Sequence, residues 1–245
     1  MPNQRTLEIC VQTLRHAIAA QRGGAQRVEL CGDLPSGGVT PSTEFMQSVR
    51  RELSIPIHVL IRPRSGNFFY SDDELEVMRN GIQAAKQFGI DGVVLGVLRA
   101  NRRIDVEKTS SLAALAHPLP VTFHRAFDLS DNFDESLEDV IQSGAMRILT
   151  AGGMLTASES LPTLARLVQI AGERIVLMPG GGINSANLAQ VAQTTLASEF
   201  HTSAGTSQMK FADPLGTLSE HESEIFEKKV AELADLLRSL PQQTP

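Results

Sequence analysis

The sequence predicts a single-domain (β/α)₈ barrel of the TIM type over residues 1–245, and three observations support this prediction. Eight short runs rich in β-branched residues alternate with segments of helical length, which is typical of parallel strands joined by crossover helices. The runs are evenly spaced, which disfavours the competing doubly wound open sheet, because that sheet needs a reversal of strand order. The chain also has 245 residues, close to the roughly 250 of most such barrels.

The predicted strands follow one another at regular intervals along the chain. They span residues 7–11, 27–31, 56–62, 92–98, 121–127, 147–151, 175–179 and 199–203. Between them, apolar residues recur every three or four positions, as in the segment from Leu75 to Phe88. This period is that of a helix with one buried face.

Helix ends carry their own signals. Thr40 and Pro41 predict the N-cap and first turn of the second helix. Ser71 and Glu74 are spaced as a capping box at the start of the third. Four glycines are predicted to end helices in the left-handed conformation that closes a helix before the next strand. They are Gly23, Gly89, Gly144 and Gly172.

The last part of the chain departs from the repeat. Residues 206–220 are rich in small polar residues and precede an amphipathic segment over 220–240. We expect that segment to be the helix that closes the barrel. A loop as long as 206–220 usually has a function in a compact domain, so this insert predicts a lid or a subunit contact.

Composition excludes several classes of function. The formal net charge of −6 disfavours binding to nucleic acid or to anionic lipid. Tryptophan is absent and Tyr70 is the only tyrosine, so stacking platforms for single strands are nearly lacking. No run of about 18 apolar residues and no signal-peptide core is present, which predicts a cytoplasmic protein. The two cysteines form no CxxC pair and are expected to be reduced thiols.

One face of the predicted strands is polar. Side chains alternate between the two faces of a strand, so that Leu7, Ile9 and Val11 oppose Glu8 and Cys10 in the first. Polar groups inside a parallel barrel cost free energy unless they have partners. The polar face carries Glu8, Cys10, Glu29, Cys31, His58, Arg62, Thr122, His124, Glu199, His201 and Ser203. Such a set predicts either an internal ion-pair network or an active site.

Further groups follow the strands at the mouth of the barrel, where the chemistry of this fold resides. Glycines there, with a predicted helix start at 183–184, favour an anion held by backbone amides. Glycines that only permit tight turns are the alternative. The predicted anion-binding residues are Arg62, Arg64, Arg125, Asp128, Gly181, Gly182, His201, Ser203 and Gly205.

The two thiols have equivalent positions. Cys10 and Cys31 each follow a glutamate by two residues, on strands predicted to be neighbours. Adjacent strands are about 4.8 Å apart, so the two sulfur atoms can approach each other. Two opposed thiolates suit a soft metal such as Cu(I), whereas a buried cysteine that only fills space is the alternative.

The same segments resemble the CutC family. The resemblance is carried by residues 8–11, 27–31, 37–42, 62–64, 122–128 and 147–150, among which Thr-Phe-His-Arg-Ala-Phe-Asp at 122–128 is distinctive. It implies a cytoplasmic, often dimeric TIM barrel described as a copper homeostasis protein, with Cys10 and Cys31 as copper-contacting thiols. The sequence departs from the family at Asn67, where many members carry a carboxylate.

Two main hypotheses for function follow. In the first, the protein handles copper and binds Cu(I) through Cys10 and Cys31. In the second, it is an isomerase or lyase acting on a small anionic or phosphorylated metabolite, because no dinucleotide fingerprint is present. A non-catalytic barrel that binds a partner through residues 206–220 is a third alternative.

The enzyme hypothesis assigns a role to each group. Glu8 or Glu29 is the general base and His124 is its acid partner, because such pairs transfer protons efficiently when their pKa values are tuned. Arg62 and Arg125 hold the anionic group by forked hydrogen bonds.

Overall fold

A computed structural model describes residues 5–205 and 220–241 and confirms the (β/α)₈ barrel. The strands are β1 (Thr6–Val11), β2 (Arg27–Leu30), β3 (Ile57–Leu60), β4 (Gly92–Leu95), β5 (Val121–Phe123), β6 (Arg147–Thr150), β7 (Val176–Pro179) and β8 (Glu199–Thr202). All pair in parallel, in the order β7-β6-β5-β4-β3-β2-β1-β8. A parallel bridge between Gly180 and His201 joins the two ends of this order. The strand order has no reversal, so the doubly wound alternative is wrong.

Helices cover the outside of the strands. In the described part of the chain they are α1 (Leu14–Arg22), α2 (Thr43–Glu52), α3 (Asp72–Gln87), α4 (Val106–Ala116), α5 (Phe133–Gln142), α6 (Leu161–Ala171), α7 (Leu188–Thr195) and α8 (Glu220–Ser239). The helix predicted over 220–240 is confirmed to within one residue, and it packs against α1 and α7.

The polar face of the strands lies inside the barrel, as the period of two predicts. Leu7, Ile9 and Val11 are buried among the aliphatic residues that β1 shares with the helices. The register sets Glu8 beside Arg27 on one neighbouring strand. On its other side β1 pairs with β8, where Glu8 lies beside His201. Strand pairing thus brings residues from both ends of the chain into one polar interior.

Several predicted boundaries need correction. The strand predicted over 121–127 ends at Phe123, because the side chain of His124 accepts the backbone N–H of Ala126 and the chain turns into a 3-10 helix, Arg125–Leu129. The N-cap of α2 is Ser42 rather than Thr40, since the Ser42 hydroxyl accepts the N–H of Phe45.

Two further corrections concern turns. Gly23 has a φ of −70° and the left-handed residue is Gly24. A Cβ on Gly23 would meet Val230 at 2.7 Å, so close packing of α8 explains this glycine. The helix predicted to start at 183–184 begins at Leu188, because Asn184 first forms a turn with Ala186.

The predicted insert over 206–220 lies outside the described residues, apart from Glu220, which begins α8. The capping box of Ser71 and Glu74 is confirmed at the start of α3. No helix in the described ranges is both long and apolar enough to cross a bilayer.

Candidate functional site

The lower half of the barrel interior is filled by a group that we call the charged floor: Glu8, Arg27, His58, Arg147 and Glu199. Arg27 donates hydrogen bonds to the carboxylates of Glu8 and Glu199. Arg147 donates to Glu199 at 2.7 and 3.1 Å, and His58 Nδ1 lies 3.7 Å from Glu8. Each arginine of the floor is therefore paired with a carboxylate.

The charge states of the floor follow from this pairing. Burial alone would raise the pKa of Glu8, but the charge of Arg27 and the hydrogen bond with His201 hold that pKa well below its usual value. Burial lowers the pKa of His58 to about 4. Glu8 is thus ionised and His58 neutral near pH 7, which is typical of an internal ion-pair network rather than of a proton-transfer site.

Above the charged floor, a cavity of about 260 Å³ opens at the carboxyl ends of the strands, and we call it the mouth cavity. Its polar lining includes Cys10, Glu29, Cys31, Arg62, His124 and His201. Its apolar lining is Leu34, Leu60, Phe68 and Leu149. The strand ends therefore bring acidic, thiol and cationic groups together in one small chamber.

The two thiols meet on one side of this cavity. Cys10 Sγ and Cys31 Sγ are 3.2 Å apart, with one thiol donating to the other, and the side chains are only 4% and 1% exposed. A hydrogen bond with Cys31 and burial raise the pKa of Cys10 well above its usual value, and burial raises that of Cys31 to about 12. Both cysteines are therefore protonated thiols at neutral pH.

His201 links the charged floor to the mouth cavity. Its Nδ1 is 2.7 Å from Glu8 and its Nε2 is 3.5 Å from Glu29. Burial opposes its protonation, yet hydrogen bonds with Cys10 and Glu8 and the two carboxylate charges raise its pKa well above the ordinary value. Burial raises the pKa of Glu29, and the charge of His201 only partly offsets this. Glu29 is thus harder to ionise than an exposed glutamate.

Two clusters among the described residues offer metal ligands within 4.8 Å of one another. Cys10, Glu29 and Cys31 form one, and Glu8, Glu29 and His201 form the other. Glu8 is already paired with Arg27, which weakens the second cluster as a cation site. Two thiols with one carboxylate form a donor set suited to a soft ion.

Arg62 and His124 also line the mouth cavity. Arg62 Nη1 donates to the carbonyl groups of Gly37 and Gly38 at 3.0 and 2.8 Å, and its Nη2 donates to that of Gly66 at 2.8 Å. The ring of Phe68 lies against both the guanidinium and the imidazole, with distances of 4.7 Å to each. Among the described residues, the guanidinium donates to neutral carbonyl groups and lies near the Tyr70 hydroxyl; no carboxylate there forms an ion pair with it.

Other residues predicted to bind an anion have different surroundings. Arg125, Gly181, Gly182 and Ser203 line the mouth cavity, whereas Arg64, Asp128 and Gly205 do not. Arg64 pairs with Glu74. Asp128 accepts the hydroxyl of Thr150, the N–H of Ala151 and Nε of Arg125, so it organises the loop after β6. Glu8, predicted as a general base, lies in the charged floor outside the cavity lining.

Sequence reasoning missed several residues of the interior. The cations of the charged floor are the first residues of their strands, Arg27 in β2 and Arg147 in β6. Each lies two positions before an inward-facing residue, Glu29 or Leu149, so the alternation of side chains along a strand could have placed both arginines inside the barrel. Gly92 and Gly96 were also missed. A Cβ on Gly92 would overlap the ring of His58, and one on Gly96 would lie 2.7 Å from the ring of His124. These two glycines leave room for the imidazoles.

Comparison with known proteins identifies similar sequences over most of the chain. A sequence model described as the CutC family matches residues 5–206. A human copper homeostasis protein cutC homolog is 47% identical over 208 residues, which cover 84% of this chain and 76% of the human protein. A family protein CutC from Chromobacterium violaceum is 48% identical over 200 residues, or 82% of this chain and 81% of that protein.

Solved structures agree with the fold. A CutC structure from Streptococcus agalactiae superposes with a TM-score of 0.78 at 33% identity, covering 81% of this chain and 98% of that one. Thiamine phosphate pyrophosphorylase from Pyrococcus furiosus, at 17% identity, has a TM-score of 0.61 with 96% of each chain covered. The latter likeness shows the barrel fold alone.

Proposed function

Because this chain belongs to the CutC family, we propose that it takes part in copper homeostasis by binding Cu(I) between Cys10 and Cys31. The observation that carries the proposal is the 3.2 Å separation of the two sulfur atoms at the edge of the mouth cavity. Thiolates are the ligands that favour Cu(I) over harder cations.

Binding requires the two thiols to lose their protons. A metal ion competes with protons for a thiolate, and the raised pKa values of both cysteines make that competition pH-dependent. Affinity for Cu(I) should therefore fall as the pH falls. Glu29 lies in the same cluster and, as a buried carboxylate with a raised pKa, it is suited to accept a proton that leaves a thiol.

The test is an anaerobic titration of the reduced protein with Cu(I), in competition with a chromophoric Cu(I) chelator. We expect one tightly bound equivalent, and we expect the Cys10→Ser/Cys31→Ser double variant to bind at least about 100-fold more weakly, since removing even an outer partner of a metal site costs 10- to 100-fold. Met154→Leu, which removes an exposed sulfur atom, is the matched control. Equal affinity in the parent and the double variant would refute the proposal.

A second candidate function is proton transfer on a small metabolite, of the isomerase or lyase type. It is favoured by the position of Glu29, which lines the mouth cavity together with His124, Arg62 and Arg125. Glu29 is the better candidate base than Glu8, because Glu8 is paired with Arg27. A carboxyl whose pKa is raised by burial is suited to exchange protons near neutral pH.

This candidate is tested by incubating small carboxylates and phosphate esters with the protein in D₂O and following loss of C–H signals by NMR. The parent should exchange a C–H proton of its substrate, and Glu29→Gln should abolish that exchange. Equal exchange rates in both proteins would rule Glu29 out as the base.

The copper proposal also concerns where the protein is located and how it assembles. We propose that it is cytoplasmic, because thiols remain reduced in that compartment; cell fractionation checks this. We also propose, from the family resemblance, that it forms a homodimer, which sedimentation equilibrium would detect.

A further inference from the structure

We propose that the mouth cavity binds a small oxyanion, a carboxylate or a phosphate group, between Arg62 and His124, and that the ring of Phe68 covers this anion subsite until the ligand displaces it. The subsite uses neither thiol and needs no copper. As the substrate-binding part of the second candidate function it rests on that function, whereas anion binding itself can be measured without any turnover.

Arg62 carries a buried charge that has no counter-ion. Arg62 is only 5% exposed. Within residues 5–205 and 220–241 no carboxylate forms an ion pair with it. Arg64 and Arg125, by contrast, are each paired with a carboxylate. In the described part of the chain, three carbonyl groups accept from its two terminal nitrogens, Nε has no hydrogen-bond acceptor, and the neutral hydroxyl of Tyr70 lies nearby. A buried cation is costly unless an anion accompanies it.

His124 offers a second unpartnered donor. Its Nδ1 accepts the N–H of Ala126 at 3.2 Å, and burial together with the charge of Arg62 lowers its pKa to about 3. A neutral imidazole whose Nδ1 is an acceptor carries its proton on Nε2. That Nε2 is buried and has no partner among residues 5–205 and 220–241, so within these ranges the imidazole presents a donor that lacks an acceptor.

Phe68 covers both donors. Arg62 Cζ lies 4.7 Å from the centre of the Phe68 ring, and the rings of Phe68 and His124 are 4.7 Å apart. The backbone of Phe68 is fixed, since its carbonyl group accepts the N–H of Leu98 at 2.9 Å. Rotation of this half-buried side chain therefore exposes Arg62 and His124 while the loop stays in place.

The chemistry of the two donors identifies the class of ligand. A cation bound directly between Arg62 and His124 would be repelled by the guanidinium, and a neutral ligand there would leave its charge uncompensated. An oxyanion accepts from the guanidinium in the charge-assisted geometry that arginine favours. The apolar walls formed by Leu34, Leu60 and Leu149 and the volume of about 260 Å³ leave room for a small body attached to that oxyanion.

The test is isothermal titration calorimetry of the copper-free protein, with inorganic phosphate and propionate as separate titrants. We expect saturable 1:1 binding of at least one of them, weakened about tenfold or more by Arg62→Gln, since a hydrogen bond to a charged group contributes on that order. Arg103→Gln, an exposed arginine paired with Glu135, should bind like the parent. Phe68→Ala should bind as tightly or more tightly, because no ring has to be displaced.

Further variants test the anion subsite even if Arg62→Gln does not fold. Arg62 also fixes loop carbonyl groups, so if Arg62→Gln does not fold, Arg62→Lys, which keeps the charge but lacks the Nε donor, and His124→Gln should each weaken binding. Binding of one titrant alone supports the subsite and shows whether it takes carboxylates or phosphates. Absence of binding by both parent and Phe68→Ala, or unchanged affinity in every Arg62 and His124 variant, would overturn it. Cys10→Ser/Cys31→Ser should keep anion binding, so failure of the copper proposal leaves this result intact.

Discussion

The charged floor and the mouth cavity are formed by the same barrel, but they differ in whether a buried arginine is paired with a carboxylate. In the floor, Arg27 lies between Glu8 and Glu199, and each cation has an anion. In the mouth cavity, Arg62 is equally buried, yet no carboxylate of the described residues pairs with it. Desolvation of a charge is offset only by a partner. The charges of the floor are therefore compensated within the folded chain, whereas the charge of Arg62 is compensated by the ligand that we propose.

A second contrast concerns the sulfur and imidazole groups. In the charged floor, the ring of His58 packs into the space beside Gly92, where a Cβ would overlap it. In the mouth, the thiols of Cys10 and Cys31 touch each other, and within the described ranges the Nε2 donor of His124 has no acceptor. This contrast predicts that changes in the floor affect stability and that changes in the mouth affect binding.

The largest expected effect is on the floor. Arg27→Met leaves Glu8 without its main counter-ion and should lower the free energy of unfolding by about 3–5 kcal/mol, as the loss of one partner from a buried pair does. Urea unfolding followed by circular dichroism gives this value. A loss under about 1 kcal/mol would mean that the floor is not a structural network, and the contrast with the mouth would break down.

The pH dependence of stability should be nearly as large. Burial holds the pKa of His58 at about 4 in the folded protein, against about 6.5 in the unfolded chain. A depressed folded-state pKa gives stability that is present above pH 6.5 and is lost as the pH falls through about 4. His58→Gln should therefore reduce the loss between these pH values by roughly 3 kcal/mol.

Urea unfolding of the parent and His58→Gln at several pH values measures this difference. His16 and His124 titrate in the same direction, with pKa values of about 4 and about 3, and they leave a residual slope in the variant. Parallel curves for the two proteins would contradict the neutral, buried state of His58.

A matched pair of glycine variants separates the two regions more finely. The added methyl group of Gly92→Ala would overlap the ring of His58 in the floor. That of Gly96→Ala would overlap the ring of His124 in the mouth. Overpacking costs about 1–3 kcal/mol, so both should lower the melting temperature. Only Gly96→Ala should also weaken phosphate or propionate binding in calorimetry. The comparison would fail if Gly92→Ala weakened anion binding to the same degree.

The smallest effect is expected at an exposed ion pair. Arg166→Ala removes the pair with Asp134, whose side chains are about half exposed, and exposed pairs contribute less than about 1 kcal/mol. Urea unfolding should show a change within this limit. It serves as the control for Arg27→Met, because an equally large loss would show that arginine removal, rather than burial, determines the outcome.

Much of the interior could be predicted from the sequence. Alternation along β1 and β2 was enough to place Glu8, Cys10, Glu29 and Cys31 on the inner face, because a strand has a fixed period of two. The neighbourhood of the two thiols followed from their equivalent positions on adjacent strands. Both predictions depend on local geometry that repeats in every strand.

The partners of the charged groups could not be predicted in the same way. Arg27 and Glu199 are separated by 172 positions in the chain, so their pairing depends on how the barrel closes. The orientation of Arg64, Asp128 and Phe68 depends on loop conformations, which no periodicity encodes. For this reason the sequence placed polar groups at the strand ends but did not indicate that Phe68 lines the cavity, or that Arg64 and Asp128 pair with other groups of the protein.

The central claim, that the mouth of the barrel is a ligand site and its thiols take up Cu(I), is tested most directly by X-ray absorption at the copper edge of the protein loaded with one equivalent of Cu(I). We predict two sulfur neighbours in the parent and none in Cys10→Ser/Cys31→Ser. Copper surrounded by nitrogen and oxygen alone in the parent would contradict the account.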